Sequence, residues 1–411
     1  MLAPTPQRRA TAPLSVRTRA VADIGDLVDL LPSPHDVLCW VRAGDGIVGW
    51  GEALRVETTG PQRFADADRA WREICGRADV HDPVAQPGSG LVAFASFAFA
   101  DDPGDSVLIV PKVIVGRRSG RSWITRIGRH ATEPELVRPT RVLRCHDGEL
   151  TADRYRDAVA EAVRRMGGGP DTGRLRKVVL ARDVIVEASE PIDPRFPLRR
   201  LADRDPSCWT FAVDGLIGAT PEMLLRRHGD EVFSRVLAGT TWAGTDVDRH
   251  PLRSAKHRDE HRHAVDSLLT SLRGHCRSVQ TFGPTVLRLR DVAHLATDVH
   301  GLLAEPDRTS LLALAGAAHP TAAVAGTPRE LALTVIAELE AGQDRGRYTG
   351  PVGWLDAAGG GELGLALRCG QLSGRQARLF AGCGIVPESD PDTELRETEV
   401  KFAAMRAALA G

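Results

Sequence analysis

Lysine is nearly missing from this chain. Its 411 residues include 53 basic side chains, and only four are lysine: Lys112, Lys177, Lys256 and Lys401. Arginine fills almost every position where a plain positive charge would serve. Arginine keeps its proton at neutral pH, whereas a buried lysine can release one, so the surviving lysines are candidates for chemistry. Other absences exclude whole classes. No apolar run is long enough to span a bilayer, so no membrane partner is expected. The opening "MLAPTPQRRATAPLSVRTRA" lacks the apolar centre of a secretory signal. Seven scattered cysteines with no CxxC pair fit reduced thiols in a cytoplasmic protein. HExxH is absent, so a zinc protease is not supported. A net charge of −1 offers no footprint for nucleic acid.

What is present is a pattern of strands in runs. Residues 36–55, "DVLCWVRAGDGIVGWGEALR", read as a hairpin around "AGDG". "GLVAFASFAFA", "SVLIVPKVIV" and "SWITRIG" read as further strands, so residues 1–150 form a β-rich N-terminal region. "TADRYRDAVAEAVRRMGGG" carries a Thr cap, helical periodicity and a glycine stop, and opens a second region, 151–411. There, "RKVVLARDVIVEA" is a strand that begins near Lys177, "SAKHRDEHRHAVDSLLTSLRGH" is a helix, and "TPRELALTVIAELEA" is another. The stretch from "RYTGPVGW" to "AGCGIV" alternates short strands with Gly-rich turns. Runs of strands rather than strict strand–helix alternation argue for an α+β fold with antiparallel sheets.

The tail "SDPDTELRETEVK" poses a question of charge. Ser389 or Asp390 can cap a helix, with Pro391 at its first position. Glu394, Glu397 and Lys401 then share one helical face. The plain reading is a solvated acidic first turn with Lys401 pairing Glu397; the alternative is a set of hard oxygen ligands for a divalent cation. Other residues pose similar choices. Lys177 at the start of an apolar strand is either a base or a snorkelling surface lysine. Glu222 in "LIGATPEMLL" is either a protonated general acid or an exposed edge glutamate. Glu260 is either a third carboxylate for the ion or one half of a pair on the helix surface. Gly382 and Gly384 in "AGCGIV" let backbone N–H groups approach an anion, or simply make a turn. Arg368 suits a carboxylate fork, and Tyr348 is one of only two tyrosines. Taken together, the set suits a small substrate bearing carboxylates.

In these residues the chain resembles the chorismate-utilising enzymes, whose members include isochorismate, salicylate, anthranilate and aminodeoxychorismate synthases. The resemblance rests on "KVVLAR", "GATPEMLL", "LAGT", "SAKHRDEH", His294–Thr297, "HPTAAVAGTPRE", "RGRYTGPVGW", "LALR", "AGCGIV" and "SDPDTELRETEVK", in family order from about residue 175 to 401. It implies one large α+β domain of two stacked antiparallel β-sheets flanked by helices, with the site between them. It further implies Mg2+ held by Glu260 and Glu397 with Glu394 supporting, Lys177 as general base and Glu222 as general acid. Tyr348, Arg368 and Gly384, beside Gly382, would grip the enolpyruvyl carboxylate. Thr240 and Lys401 would lie near the ring carboxylate and the metal, and His294 would be a substrate-binding residue, the first candidate for proton donor should Glu222 not serve.

Lys177 narrows the branch. Anthranilate synthases typically carry glutamine there and take ammonia. Aminodeoxychorismate synthases typically carry an attacking lysine where this chain has Ala238. Water activation is therefore implied, which selects isochorismate synthase, with salicylate synthase and a catalytically silent chorismate-binding relative as alternatives. Isochorismate feeds menaquinone or siderophore assembly, and no glutamine amidotransferase subunit is expected. The chain departs from the family at three places: His257 replaces an acidic residue in "SAKHRDEH", "LAGTTWAG" lacks the usual arginine, and "EAGQDRG" carries an extra residue.

Overall fold

The computed structural model describes residues 13–22, 24–128, 130–167, 174–242, 255–288, 290 and 292–411. Among the described residues, twenty strands and seven α-helices build an α+β molecule. The long strand Ser106–Arg118 is its seam. One edge pairs with Asp45–Thr58 along most of its length; the other pairs with Arg121–Ile127 and Val92–Ser96. Two antiparallel sheets leave this seam. The first runs through Asp45–Thr58, Leu38–Arg42, Trp209–Val213, Leu216–Thr220, Cys369–Ser373, Gln376–Ile385 and Lys177–Ala188. The second runs through Val92–Ser96, Pro351–Asp356, Gly361–Leu365, Met223–His228, Glu231–Trp242, Val292–Leu303 and Cys276–Arg288.

The two sheets stack through a shared core. Trp40, Phe211 and Phe380 of the first meet Phe94, Met223 and Trp354 of the second. The Trp40 indole N–H crosses between them to Glu362, donating to Oε2 at 2.8 Å. The strands are rich in β-branched residues, and Lys177–Ala188 is buried on both faces over its first eight positions, as a strand covered on both sides must be. Helices Arg195–Arg204 and Pro391–Leu409 close the outer face of the first sheet, where Leu198, Leu201, Phe402 and Met405 pack on Val184, Val186 and Leu379. No helix among the described residues is long and apolar enough to cross a membrane.

Two links between the sheets lie side by side. Leu216–Thr220 in the first sheet continues through Pro221 and Glu222 into Met223–His228 in the second. Gly361–Leu365 in the second returns through Ala366–Arg368 into Cys369–Ser373 in the first. The links are stitched together: Leu365 N–H donates to the Glu222 carbonyl at 3.2 Å, and Ala219 N–H to the Arg368 carbonyl at 3.3 Å. Arg368, at the end of the apolar run "LGLALR", thus sits on a crossover, past the end of strand Gly361–Leu365. The strand read from "GLVAFASFAFA" is also shorter than expected, ending at Ser96. Beyond it, Phe97 and Phe99 are buried and their N–H groups bond Pro351 and Gly346, which turns the chain out of the sheet.

Candidate active site

The crossovers leave a cleft between the sheets, concave and lined by converging polar groups as a small-molecule site is. Glu222, Glu260, His294, Tyr348, Arg368, Gly382, Gly384 and Lys401 all line it, so most residues singled out in the sequence meet in one place. Lys177 reaches it through Glu260 and Glu397 through Lys401, while Glu394 lies beside Glu397. Thr240 lies in the strand beside His294, and its side chain is outside the described residues.

Lys177 is 1% exposed, and its ammonium lies 3.2 Å from Glu260 Oε1. It therefore does not snorkel. Glu260 pairs across elements with Lys177, and the Lys256 side chain, one turn before it, is outside the described residues. Gly384 makes this contact possible. A Cβ there would collide with Glu260 Oε1 and come within 2.9 Å of Lys177 Cε. At this position glycine serves close approach.

Glu222 follows the turn proline and is 5% exposed. Burial pushes its carboxyl up to about 8, against the opposing pull of the Leu237 N–H and the charge of Lys177. Glu222 therefore carries a proton at neutral pH. It is neither exposed nor at a sheet edge.

The tail helix answers the question of its charges. Asp390 caps it, its Oδ1 accepting from Thr393 N–H at 2.9 Å, with Pro391 in the first turn. Thr398, Phe402, Met405 and Leu409 form the buried stripe, spaced i, i+4, i+7 and i+11, and this rotation turns Glu394, Glu397 and Lys401 inward. Lys401 Nζ pairs with Glu397 at 2.6 Å and donates to the Gly382 carbonyl at 2.7 Å. Burial alone would lower the Lys401 ammonium, but Cys383 and Glu397 raise it; burial alone would raise the Glu397 carboxyl, but Lys401 draws it down. The plain i+4 pair read from the sequence is real, and it is buried rather than solvated. Glu394, Glu397 and the Cys383 sulfur offer ligand atoms within 4.8 Å of one another. Glu260 faces the same cleft outside that set, held by Lys177.

His294 and Arg368 form the remaining polar wall. Arg368 donates from Nη2 to His294 Nε2 at 3.3 Å. Arginine can only donate, so His294 Nε2 must be unprotonated there. Burial first, then the charges of Arg368 and Lys401, push the His294 imidazole well below its ordinary value. A neutral His294 carrying its hydrogen on Nδ1 is the consistent state. Tyr348 stacks on Phe380 with ring centroids 5.1 Å apart.

The sequence reading did not single out Thr349, although it stands in the quoted "RYTGPVG". Thr349 lines the cleft at φ 62°, and Arg368 lines it at φ 49°, both in the left-handed region that non-glycine residues rarely adopt. The Thr349 N–H holds Ala366 at 2.9 Å, which fixes the crossover that carries Arg368. The only sequence signal for such a residue was its place between Tyr348 and a glycine. His257, the departure noted above, packs over Gly239, whose φ is +72°; a Cβ at Gly239 would meet the His257 carbonyl at 2.9 Å.

Comparison with known proteins agrees with this geometry. The family model described as chorismate binding enzyme matches residues 40–133 and 127–410. The salicylate biosynthesis isochorismate synthase of Pseudomonas aeruginosa is 32% identical over 407 residues, covering 90% of this chain and 84% of that protein. The isochorismate synthase DhbC of Bacillus subtilis is 37% identical over 273 residues, covering 62% of this chain and 67% of that protein. Among solved structures, the menaquinone-specific isochorismate synthase MenF of Escherichia coli shares the fold at a TM-score of 0.79 and 24% identity, covering 97% of this chain and 95% of that one.

Proposed function

The chain belongs to the chorismate-binding enzyme family, and on that premise we propose that it converts chorismate to isochorismate. One observation carries the reading: a carboxyl held protonated, Glu222, lines the cleft, and a fully buried lysine, Lys177, meets that cleft through Glu260. Lys177 is the base for the water that attacks ring C2: once its ammonium has passed a proton to solvent, it takes one from that water. Glu222 delivers its proton to the C4 hydroxyl, which departs as water. Both ring double bonds move one position round the ring as the C4–O bond breaks, and charge balances when the two residues exchange their protons back through solvent. Arg368 and Tyr348, with the Gly382 and Gly384 backbone, bind the enolpyruvyl carboxylate. Neutral His294, fixed by Arg368, completes that wall without adding charge. Ala238 leaves room beside the ring for water.

The donor set fits Mg2+. Glu394 is buried, Glu397 is largely so, and their carboxylates converge, with Lys401 offsetting the charge of Glu397 and the paired oxygens suited to a hard divalent cation. Glu260 and Glu397 would hold the ion, with Glu394 supporting. The bound ion would fix and polarise the ring carboxylate. The seven free cysteines suit a reducing compartment such as the cytoplasm.

The test is incubation with chorismate and Mg2+ followed by separation of products. Isochorismate supports the reading. Salicylate with pyruvate would move the chain to the salicylate synthases, and unchanged chorismate would mark a silent relative.

A further inference from the structure

Strand Lys177–Ala188 carries Lys177 at one end, and its inner edge is fully paired with Gln376–Ile385. Its outer edge is not. Gly326–Thr327 covers Lys177 and Val178, and Val142–Asp147 covers Val184 to Ala188. Between these partners no strand among the described residues lies alongside, yet the strand is buried there. Backbone groups left unpaired at such a place would pay the full cost of losing their water.

Side chains from the loop after helix Arg329–Leu339 fill the gap. Val179 N–H reaches the Ala325 carbonyl at 2.7 Å. Arg345 Nη2 donates to the Val179 carbonyl at 2.7 Å. Ala181 N–H donates to Glu340 Oε1 at 2.7 Å. Gln343 Nε2 donates to the Ala181 carbonyl at 3.3 Å. Three side chains thus act as the missing strand.

Glu340 and Arg345 are each 3% exposed and form a two-point pair, Nε to Oε2 at 2.8 Å and Nη2 to Oε1 at 2.5 Å. Arg345 also donates from Nη1 to the Val324 carbonyl at 3.1 Å, and its own carbonyl accepts from Tyr348 N–H at 3.0 Å. Val179, Val324 and Tyr348 all line the cleft. One buried pair therefore ties together three of its walls, and it lies in the "EAGQDRG" segment where the chain departs from its family.

We propose that Glu340 and Arg345 are positioning residues, which hold strand Lys177–Ala188 in register with the Val324 and Tyr348 walls so that Lys177 meets the ring. Neither lines the cleft. The proposal rests on the isochorismate-forming reading for its kinetic consequence and is independent of it for its structural one. Displacement of a reacting group by about 1 Å can cost on the order of 10²-fold in rate.

The experiment uses the full chain with Glu340→Gln, which keeps an acceptor for Ala181 N–H but loses the charge that holds Arg345. Expected are faster hydrogen exchange at the Ala181 amide and a kcat about tenfold lower, with chorismate affinity by calorimetry within threefold. The double variant Glu340→Leu with Arg345→Met replaces the pair by apolar groups, an exchange that often preserves stability. It should fold and show the same two changes more strongly. Faster exchange with kcat within twofold of wild type overturns the positioning role, as does a Glu340→Gln protein unchanged in both measurements. Failure of both variants to fold assigns the pair a purely structural role and likewise overturns it. If the wild-type protein leaves chorismate unchanged, the functional reading has failed, and the Ala181 exchange still shows whether the pair holds the strand.

Discussion

Lys177 and Glu260 meet at 3.2 Å over the bare Cα of Gly384. The base assigned to the water and the carboxylate assigned to the metal are thus in direct contact, and a glycine is the condition of that contact. Gly384→Ala should therefore damage both functions at once. The added methyl would push against Glu260 and Lys177, so kcat should fall at least tenfold and the Mg2+ concentration for half-maximal activity should rise. A variant with wild-type kcat and Mg2+ dependence would show that the close approach is incidental.

The carboxylate set yields a prediction that needs no turnover. Mg2+ binding to the folded state alone should raise Tm, by mass action, in wild-type protein. Glu397→Gln removes a hard anionic ligand and should lose most of that rise and all Mg2+-dependent turnover. The same variant leaves Lys401 without its partner, so the metal-free protein should also be less stable than wild type. Differential scanning calorimetry with and without Mg2+ separates the two effects. Full activity of Glu397→Gln at ordinary Mg2+ would remove the residue from the metal site.

Much of this site was legible before any coordinates. Its residues stand in short motifs whose charges are out of place: a lysine opening an apolar strand, a glutamate within "GATPEMLL", an acidic face on the tail helix. What could not be read was how those charges are neutralised. Lys177 and Glu260 are far apart in sequence, and local spacing offered Glu260 a nearer partner in Lys256. The elements that escaped reading lack local signals. Helices Arg63–Arg77 and Arg195–Arg204 start at Gln62 and Pro194 with no side-chain cap. Strand Cys276–Arg288 is mostly exposed and so shows no alternation of apolar and polar faces. The gap beside Val179 and Ala181 is a tertiary fact with no periodicity to betray it.

Arg368 should be a binding residue first. Its contact with His294 aims the guanidinium, and the left-handed backbone beneath it is fixed through Thr349. Arg368→Lys cannot reproduce the fork. Loss of a hydrogen bond to a charged group is worth about 1.5–3 kcal/mol, so KM for chorismate should rise by roughly 10- to 100-fold. The fall in kcat should be smaller. Steady-state kinetics on both variant and wild type decide it: unchanged KM would place the carboxylate elsewhere.

Lys177→Gln should abolish isochorismate formation, because an amide cannot accept the water's proton at neutral pH. Glutamine is what the anthranilate branch carries at this position, so trace ammonia-dependent product is expected when ammonium is supplied. Chromatography of products with and without ammonium is the check. Retained hydration of chorismate would take the base role from Lys177.

Glu222 carries the sharpest pH prediction. Its carboxyl is raised from 4.5 to about 8, chiefly by burial. A general acid must start the cycle protonated, so the wild-type rate should fall as pH rises through about 8. Glu222→Gln keeps shape and hydrogen bonding but delivers no proton. It should bind chorismate and Mg2+ normally and lose on the order of 10²-fold or more in kcat. Stability should move the opposite way. Below about 4.5 the side chain is protonated in both folded and unfolded chains and contributes no pH dependence. Between about 4.5 and 8 the unfolded chain releases a proton that the folded protein keeps, so Glu222 makes folding less favourable as pH rises. Glu222→Gln removes that dependence, and its Tm relative to wild type should climb from pH 5 to pH 8. A slow variant whose Tm advantage grows in that window fits a buried, protonated acid. A Tm difference that stays flat would mean Glu222 is ionised in the folded protein, and the proton would have to come from a group other than the neutral His294, whose Nε2 already accepts from Arg368.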